Sequence, residues 1–222
     1  MDSAKLSELR TDAKHFANMT GRNFITDAEW NIYINHAIKD FYNKITTIEN
    51  DYYLKPATLT VSTTDSIALP SDFWKLRAVD AKLGGLWHDI KKFNLKERNV
   101  GQTNTLYLSN SAPQFKYRLI GSNIVLRPQP AQNTEIKLWY YPVLSELVND
   151  DDTFDFINGA DDYVSMSAAV KALIKEETDY RPLEQQVMKL ESEIFKIANR
   201  DDSAPEKVTD IHDLDAGLYG YY

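Results

Sequence analysis

Seven carboxylates fall within residues 146–162: Glu146, Asp150, Asp151, Asp152, Asp155, Asp161 and Asp162, with no base among them. Such a run suits two chemistries, cation binding through oxygen ligands or hydrolysis by a composite pair of acids. The spacing does not fit a calcium helix–loop–helix, which needs alternating ligands, a central Gly and a Glu at the twelfth position. The favoured reading is a solvated connection that feeds a helix, with Asp161 and Asp162 placed where the helix dipole favours negative charge. A hydrolase with a composite site near Asp150 to Asp162 is kept as a third reading of the chain.

The remaining reactive side chains are scattered. His15, His36, His88 and His212 show no metal-ligand spacing, and His15 is expected to pack beside an apolar helix stripe. His88-Asp89 and His212-Asp213 are adjacent pairs, and adjacency on a strand turns two side chains apart. There is no G-x-S-x-G elbow, P-loop or Gly-rich dinucleotide fingerprint. The chain has no Cys, which removes thiolate catalysis, thiolate metal sites and disulfides together and suits a reducing cytoplasm. The expectation is no enzymatic activity, no cofactor and no metal.

One basic cluster stands out, Lys91, Lys92, Lys96 and Arg98 with Phe93 between them. It could pair charge with stacking on a nucleic acid. It could equally be the solvated face of a hairpin. The formal net charge of −8 favours the second, because it opposes general attraction to phosphate backbones.

The elements that position these groups read in three blocks. Leu6, Leu9, Ala13 and Phe16 recur at helical steps, with Ser3 as the expected cap and Gly21 as the stop. Thr26 and Glu29 form a capping pattern, followed by the stripe Trp30, Ile34, Ala37, Phe41, Ile45 and Ile48 over about six turns. Tyr33, Ile38 and Tyr42 widen that stripe, so it is expected to be covered on more than one side, within the fold or by a neighbouring subunit.

After Asn50 the period changes to strand alternation: Leu59 and Val61, then Ile67 and Leu69, stopped by Pro70. Phe73 to Lys82 and Leu86 to Phe93 predict a hairpin about Gly84-Gly85. Asn94 to Gln102 predicts a short helix or loop. Gln114 to Ile120, Asn123 to Arg127 and Thr134 to Tyr141 are the clearest strands, and Pro128 and Pro130 break the chain between the last two.

Helical spacing returns at Ala160, with Tyr163, Met166, Val170, Leu173 and Ile174 expected on one side. Pro182 suits the first turn of a last helix, where Leu183, Val187, Leu190, Ile194 and Ile197 form a packing seam. From Asp201 to Tyr222 six acids face one base, Lys207, a composition that does not order alone. Yet Ile211, Leu214, Leu218, Tyr219, Tyr221 and Tyr222 are placed late in it. Fully extended, the segment spans about 70–80 Å at 3.3–3.6 Å per residue. It either docks on a partner, the favoured reading since aromatics are enriched at interfaces, or folds back on its own sheet. No apolar run approaches the roughly 18–20 residues that span a bilayer, and the N-terminus lacks a signal-peptide pattern. Neither a membrane protein nor an exported one is expected.

The ordering of these segments resembles a known family. Two N-terminal helices precede Leu69-Pro70-Ser71-Asp72-Phe73 and a meander; then come Tyr117 to Leu119, Gly121-Ser122-Asn123-Ile124-Val125-Leu126-Arg127-Pro128 and Ile136 to Pro142, closed by a helical hairpin. This resembles the head-to-tail adaptor (connector) proteins of tailed bacteriophages, of the tail tubular protein A and tail accessory factor type, over most of Leu6 to Asn199. The resemblance implies an α+β fold: an antiparallel helical bundle from residues 1–50 and 146–200, a central antiparallel β insertion over 51–145, and an extended tail over 201–222.

It also implies a structural virion protein, a ring of typically twelve copies at the head–tail junction, assembled in the host cytoplasm. The implied partners are copies of the same chain, the portal protein, tail proteins, and double-stranded DNA passing without sequence-specific binding. Trp30, Tyr33, Phe41, Leu183, Val187, Leu190 and Ile194 are the expected subunit-interface residues. Ile211, Leu214, Leu218, Tyr219, Tyr221 and Tyr222 are the expected portal-docking set. The alternative is a monomeric cytoplasmic protein-binding module that uses its C-terminal tail.

Overall fold

A computed structural model describes residues 2–48, 50–62, 64–97, 116–157 and 159–200. In chain order the elements are β1 (Asp2–Lys5), α1 (Leu6–Phe16), α2 (Asp27–Thr47), β2 (Lys55–Thr60), β3 (Ser66–Ala68), β4 (Phe73–Leu83), β5 (Leu86–Asp89), β6 (Lys116–Ile120), β7 (Asn123–Arg127), β8 (Glu135–Pro142), β9 (Thr153–Phe156), α3 (Ala160–Lys175) and α4 (Arg181–Arg200). The fold is mixed α and β, with four helices and antiparallel sheets among the described residues.

Helix α2 forms where its sequence says it should. The Thr26 hydroxyl accepts from the Glu29 N–H, and the Glu29 carboxylate accepts from the Thr26 N–H, so two orphan donors are met at once. Its stripe is covered by α3, α1 and the Tyr141, Phe154 and Phe156 side chains of β8 and β9 rather than left open. Trp30, Ile34, Ala37, Ile38, Phe41, Tyr42 and Ile45 are all buried.

Helix α3 touches the other three helices, and its buried face is only partly the expected one: Tyr163 is buried as expected, the later large residues are not. Tyr163, Val164, Ala168, Ala169 and Ala172 turn inward, whereas Ile174 is exposed and Met166, Val170 and Leu173 are half-buried. The short alanine side chains leave room for α1 and α2 to approach α3 closely, and large residues at those positions would hold the helices apart.

Three further expectations at the first helix are corrected. Ser3 does not cap α1; it lies in β1, paired with Asp155 of β9. The start of α1 is instead closed by the distant acid run. Leu6 N–H donates to the Asp152 carbonyl at 2.9 Å, Ser7 N–H to the Asp150 carbonyl at 3.2 Å, and Lys5 N–H to the Glu8 carboxylate at 2.9 Å. The helix stops at Phe16, well before Gly21, because Asn18 takes a left-handed conformation at φ 53°. His15 faces solvent rather than the stripe.

The strands close a second core. A four-stranded sheet in the order β2-β8-β4-β5 faces a three-stranded sheet in the order β3-β7-β6. Val79, Ala81, Ile136, Leu138 and Tyr140 of the first meet Ile124 and Leu126 of the second. The β4–β5 hairpin turns in two residues, Gly84 and Gly85, both at positive φ as this turn requires, with Leu83 opposite Leu86.

The Leu69–Phe73 segment is a structural knot. The Asp72 carboxylate accepts from the Tyr140 hydroxyl at 2.7 Å and pairs with Lys55 at 2.6 Å. Its carbonyl accepts from Val143 N–H at 2.7 Å. Lys55 and then Tyr140 hold the Asp72 carboxyl below its ordinary range.

Tyr140 and Tyr141 join the two cores. Successive side chains on β8 face opposite ways, so Tyr140 lies in the strand core and Tyr141 in the helical one. At this waist Tyr42 Oη donates to the Pro142 carbonyl at 2.7 Å, Tyr141 Oη to the Asn50 carbonyl at 3.1 Å, and Lys75 Nζ to the Thr46 carbonyl at 2.8 Å.

Candidate interaction surfaces

The acid run is spent on structure. Asp150 pairs with Arg10 at 2.8 Å and Asp151 with Lys5 at 2.9 Å. The Asp152 carboxylate accepts from the backbone N–H groups of Val148 and Asn149, both at 2.8 Å. Those two donors, with the Asn149 side chain, hold the Asp152 carboxyl below its ordinary range. Asp162 is pushed the other way by burial, then by Asp161 and Asp12. No group of three or more His, Cys, Asp or Glu side chains among the described residues could hold a metal ion. The loop that looked like a solvated connection is thus the cap of α1, 140 and more residues away in sequence.

A depressed carboxyl value contributes stability that is present above its unfolded value and lost as pH falls through its folded one. Asp152→Ala is therefore expected to lower the thermal midpoint at neutral pH. The gap to the parent should close as acid protonates Asp152 in the parent. Thermal melts across the acid range check this, and a gap that stays constant with pH would contradict it.

A line of aromatic rings crosses the waist and enters the helical core. Centroid separations run Trp74–Tyr42 5.5 Å, Tyr42–Tyr53 5.1 Å, Tyr53–Phe154 5.7 Å, Phe154–Phe156 4.7 Å, Phe156–Phe41 6.1 Å and Phe41–Tyr163 5.9 Å. Tyr52 meets Tyr53 edge-on at 4.9 Å. Such offset and edge contacts are the favourable ones between rings. Burial pushes the Tyr42 hydroxyl up to about 12 and raises Tyr53 as well, so both stay neutral donors. Trp74 (43% exposed) and Tyr52 (39%) leave the outer end of the line on the surface. The sequence reading missed them, although the doublets Tyr52-Tyr53 and Phe73-Trp74 are visible signals.

The expected subunit-interface residues divide. Trp30, Phe41 and Ile194 are buried within this chain. Tyr33, Leu183 and Val187 pack partly on the helical core, and Leu190 is half-buried, so these four keep surface of their own. Helix α4 is held by Lys44, which donates to Glu191 at 2.6 Å and to the Tyr163 hydroxyl at 3.1 Å. Burial works against the Lys44 charge, but Glu191 and Tyr163 outweigh it and keep the ammonium above its ordinary value. Beside this clamp, Asn43, Lys44, Thr47, Ile48 and Phe195 line an open hollow of about 290 Å³. The six expected portal-docking residues, Ile211, Leu214, Leu218, Tyr219, Tyr221 and Tyr222, lie outside the described residues, as does Arg98.

The basic cluster changes composition on folding. Phe93 is buried in the strand lobe, so it offers no stacking face. A parallel bridge between Lys92 and Tyr117 brings Lys116 and Arg118 alongside the Lys91-Lys92 segment.

The sequence pattern of one family, the SU10 adaptor protein, matches residues 4–208, from β1 through both cores and past α4. The chain belongs to the SU10 adaptor protein family. Membership agrees with the resemblance to phage head-to-tail adaptors, and it gives the chain a structural role as a phage adaptor and virion component. No curated protein matches the chain. An adaptor of this family has a structural role, so its surfaces are the features of interest. The ion-paired acids and the exposed waist rings suit that role. No helix of the described residues is long and apolar enough to cross a membrane.

Proposed function

We propose that this adaptor forms a ring, of twelve copies, that joins the portal to the tail and extends the DNA channel. The family match over residues 4–208 carries the proposal, because it spans the helices and the strand lobe together. In this reading the four helices form an antiparallel bundle, residues 1–50 with 146–200, that builds the ring wall. The strand region, residues 51–145, faces tail components or neighbouring subunits. Tyr33, Leu183, Val187 and Leu190, all half-buried in the single chain, supply their remaining apolar surface to the subunit contact. Trp30, Phe41 and Ile194 support it from beneath.

The C-terminal segment, residues 201–222, docks on the portal through Ile211, Leu214, Leu218, Tyr219, Tyr221 and Tyr222. Burying several such side chains, at roughly 1.5–3 kcal/mol each, can outweigh the several kcal/mol needed to order a free segment. The net charge of −8 per chain suits a conduit that does not grip the DNA it passes.

Mass measurement of the protein alone and mixed with its portal tests the proposal. The expected result is a monomer alone and a stoichiometric ring on mixing. Removing Asp201 to Tyr222 should abolish that association and leave the core folded. No association at any salt concentration, or association undiminished by the truncation, would overturn the docking scheme.

A further inference from the structure

The chain is acidic overall, yet one surface of the strand lobe collects cations. Lys91, Lys92 and Lys96 are exposed, and Lys116 is exposed on the adjoining strand β6. The segments are locked together: Tyr117 N–H donates to the Lys91 carbonyl at 3.0 Å, Phe93 N–H to the Tyr117 carbonyl at 2.9 Å, and the Arg118 guanidinium to the Phe93 carbonyl at 3.1 Å. Neighbouring strands lie about 4.8 Å apart, so the backbones of Lys91 and Lys92 run beside those of Lys116 and Arg118, with Lys96 following four residues on. Among the described residues no ion pair engages Lys91, Lys92, Lys96 or Arg118. This contrasts with the acid run, where the bases Lys5 and Arg10 are both paired.

We propose that this patch holds the acidic part of the protein's own C-terminal segment, Asp201 to Asp215, folded back against it in the free chain. Charge complementarity is the first support. Asp201, Asp202, Glu206, Asp210, Asp213 and Asp215 oppose a single base, Lys207. Reach is the second. The Asn50 side chain donates to the Ala198 carbonyl at 2.7 Å, which fixes the end of α4 at the waist. From there Asp51 meets Arg77 at 3.7 Å, and two residues on, the Val79 carbonyl accepts from Ile90 N–H at 3.0 Å, next to Lys91. Fifteen residues extended reach about 50 Å, well beyond that short path. A tethered ligand acts at an effective concentration of the order of millimolar, so modest ion pairing suffices to hold it. A nucleic acid is the less favoured occupant, since the buried Phe93 cannot stack and the chain as a whole is acidic.

The absence of Cys allows a single spin label at Ser203→Cys in the full chain. At 0.1 M salt the label should broaden the amide signals of residues 91–96 and 116–118 until they are lost. At 1 M salt, where the Debye length falls from about 10 Å to about 3 Å, they should return. They should also return in Lys91→Glu/Lys92→Glu/Lys96→Glu. They should return equally in Asp210→Asn/Asp213→Asn/Asp215→Asn, which leaves the folded core untouched.

Broadening that is absent, or that survives both sets of substitutions, would overturn the fold-back. So would broadening seen only when the label sits on a second copy of the chain. Patch signals that respond to an added DNA duplex but not to the label would assign the patch to phosphodiesters instead. The label experiment contains no portal, so its failure leaves the mass measurement with the portal standing; docking would draw Ile211 and Leu214, which lie among these acids, off the patch.

Discussion

Trp30→Ala will lower the unfolding free energy of the isolated chain by about 3–5 kcal/mol, the range for deleting a large buried aromatic side chain. The indole is 1% exposed, sits in the first turn of α2 and meets Tyr33 edge-on with centroids 6.3 Å apart. Its loss removes apolar contact and leaves a cavity that packed neighbours fill only in part. Urea unfolding of the monomer checks the value. Tyr33→Ala, at the half-buried edge of the same stripe, should cost less stability and weaken assembly more. If Trp30→Ala left the monomer within about 0.5 kcal/mol of the parent, as harmless surface changes do, the stripe would be a surface awaiting a partner and not a core.

Tyr140→Ala and Tyr141→Ala should each cost about 3–5 kcal/mol, and the damage should appear in different places. Tyr140 stacks on Phe73 at 5.6 Å and donates to Asp72; Tyr141 is fully buried, donates to Asn50, and lies under the Lys75 ammonium at 5.9 Å. Hydrogen exchange should rise in β4 and β7 for the first substitution and in α2 and α3 for the second, because local opening follows the cooperative unit that loses contacts. Uniform acceleration over the whole chain in both variants would show one indivisible unit instead of two cores sharing a strand.

Local signals in the sequence were enough for α2, for the hairpin at Gly84-Gly85 and for β6, β7 and β8. In each case the information lies within a few residues, as a capping pair, a two-residue turn or an alternation. Strands β1 and β9 were not legible. Asp2-Ser3-Ala4-Lys5 has no strand pattern and extends only because Thr153 to Phe156 pairs with it. The purpose of Asp150 to Asp152 was hidden for the same reason, since Lys5 and Arg10 are brought to them by the fold. On α3 the large residues promised the buried face, and the small ones won because two helices had to fit against it. The interaction surfaces were least legible. The waist rings belong to three separate segments, and the basic patch forms only once β6 lies beside Lys92.

The pairing of Asp2 with Phe156 sets an order of events during synthesis. At about 5–20 residues per second, a ribosome needs about 8–30 s to make the partner of the first strand. The strand lobe ends at Pro142 and is complete sooner. Helices α1 and α2, made first, reach their final cover only when α3 emerges. During that interval the nascent chain presents a bare greasy helix, the kind of segment that chaperones hold.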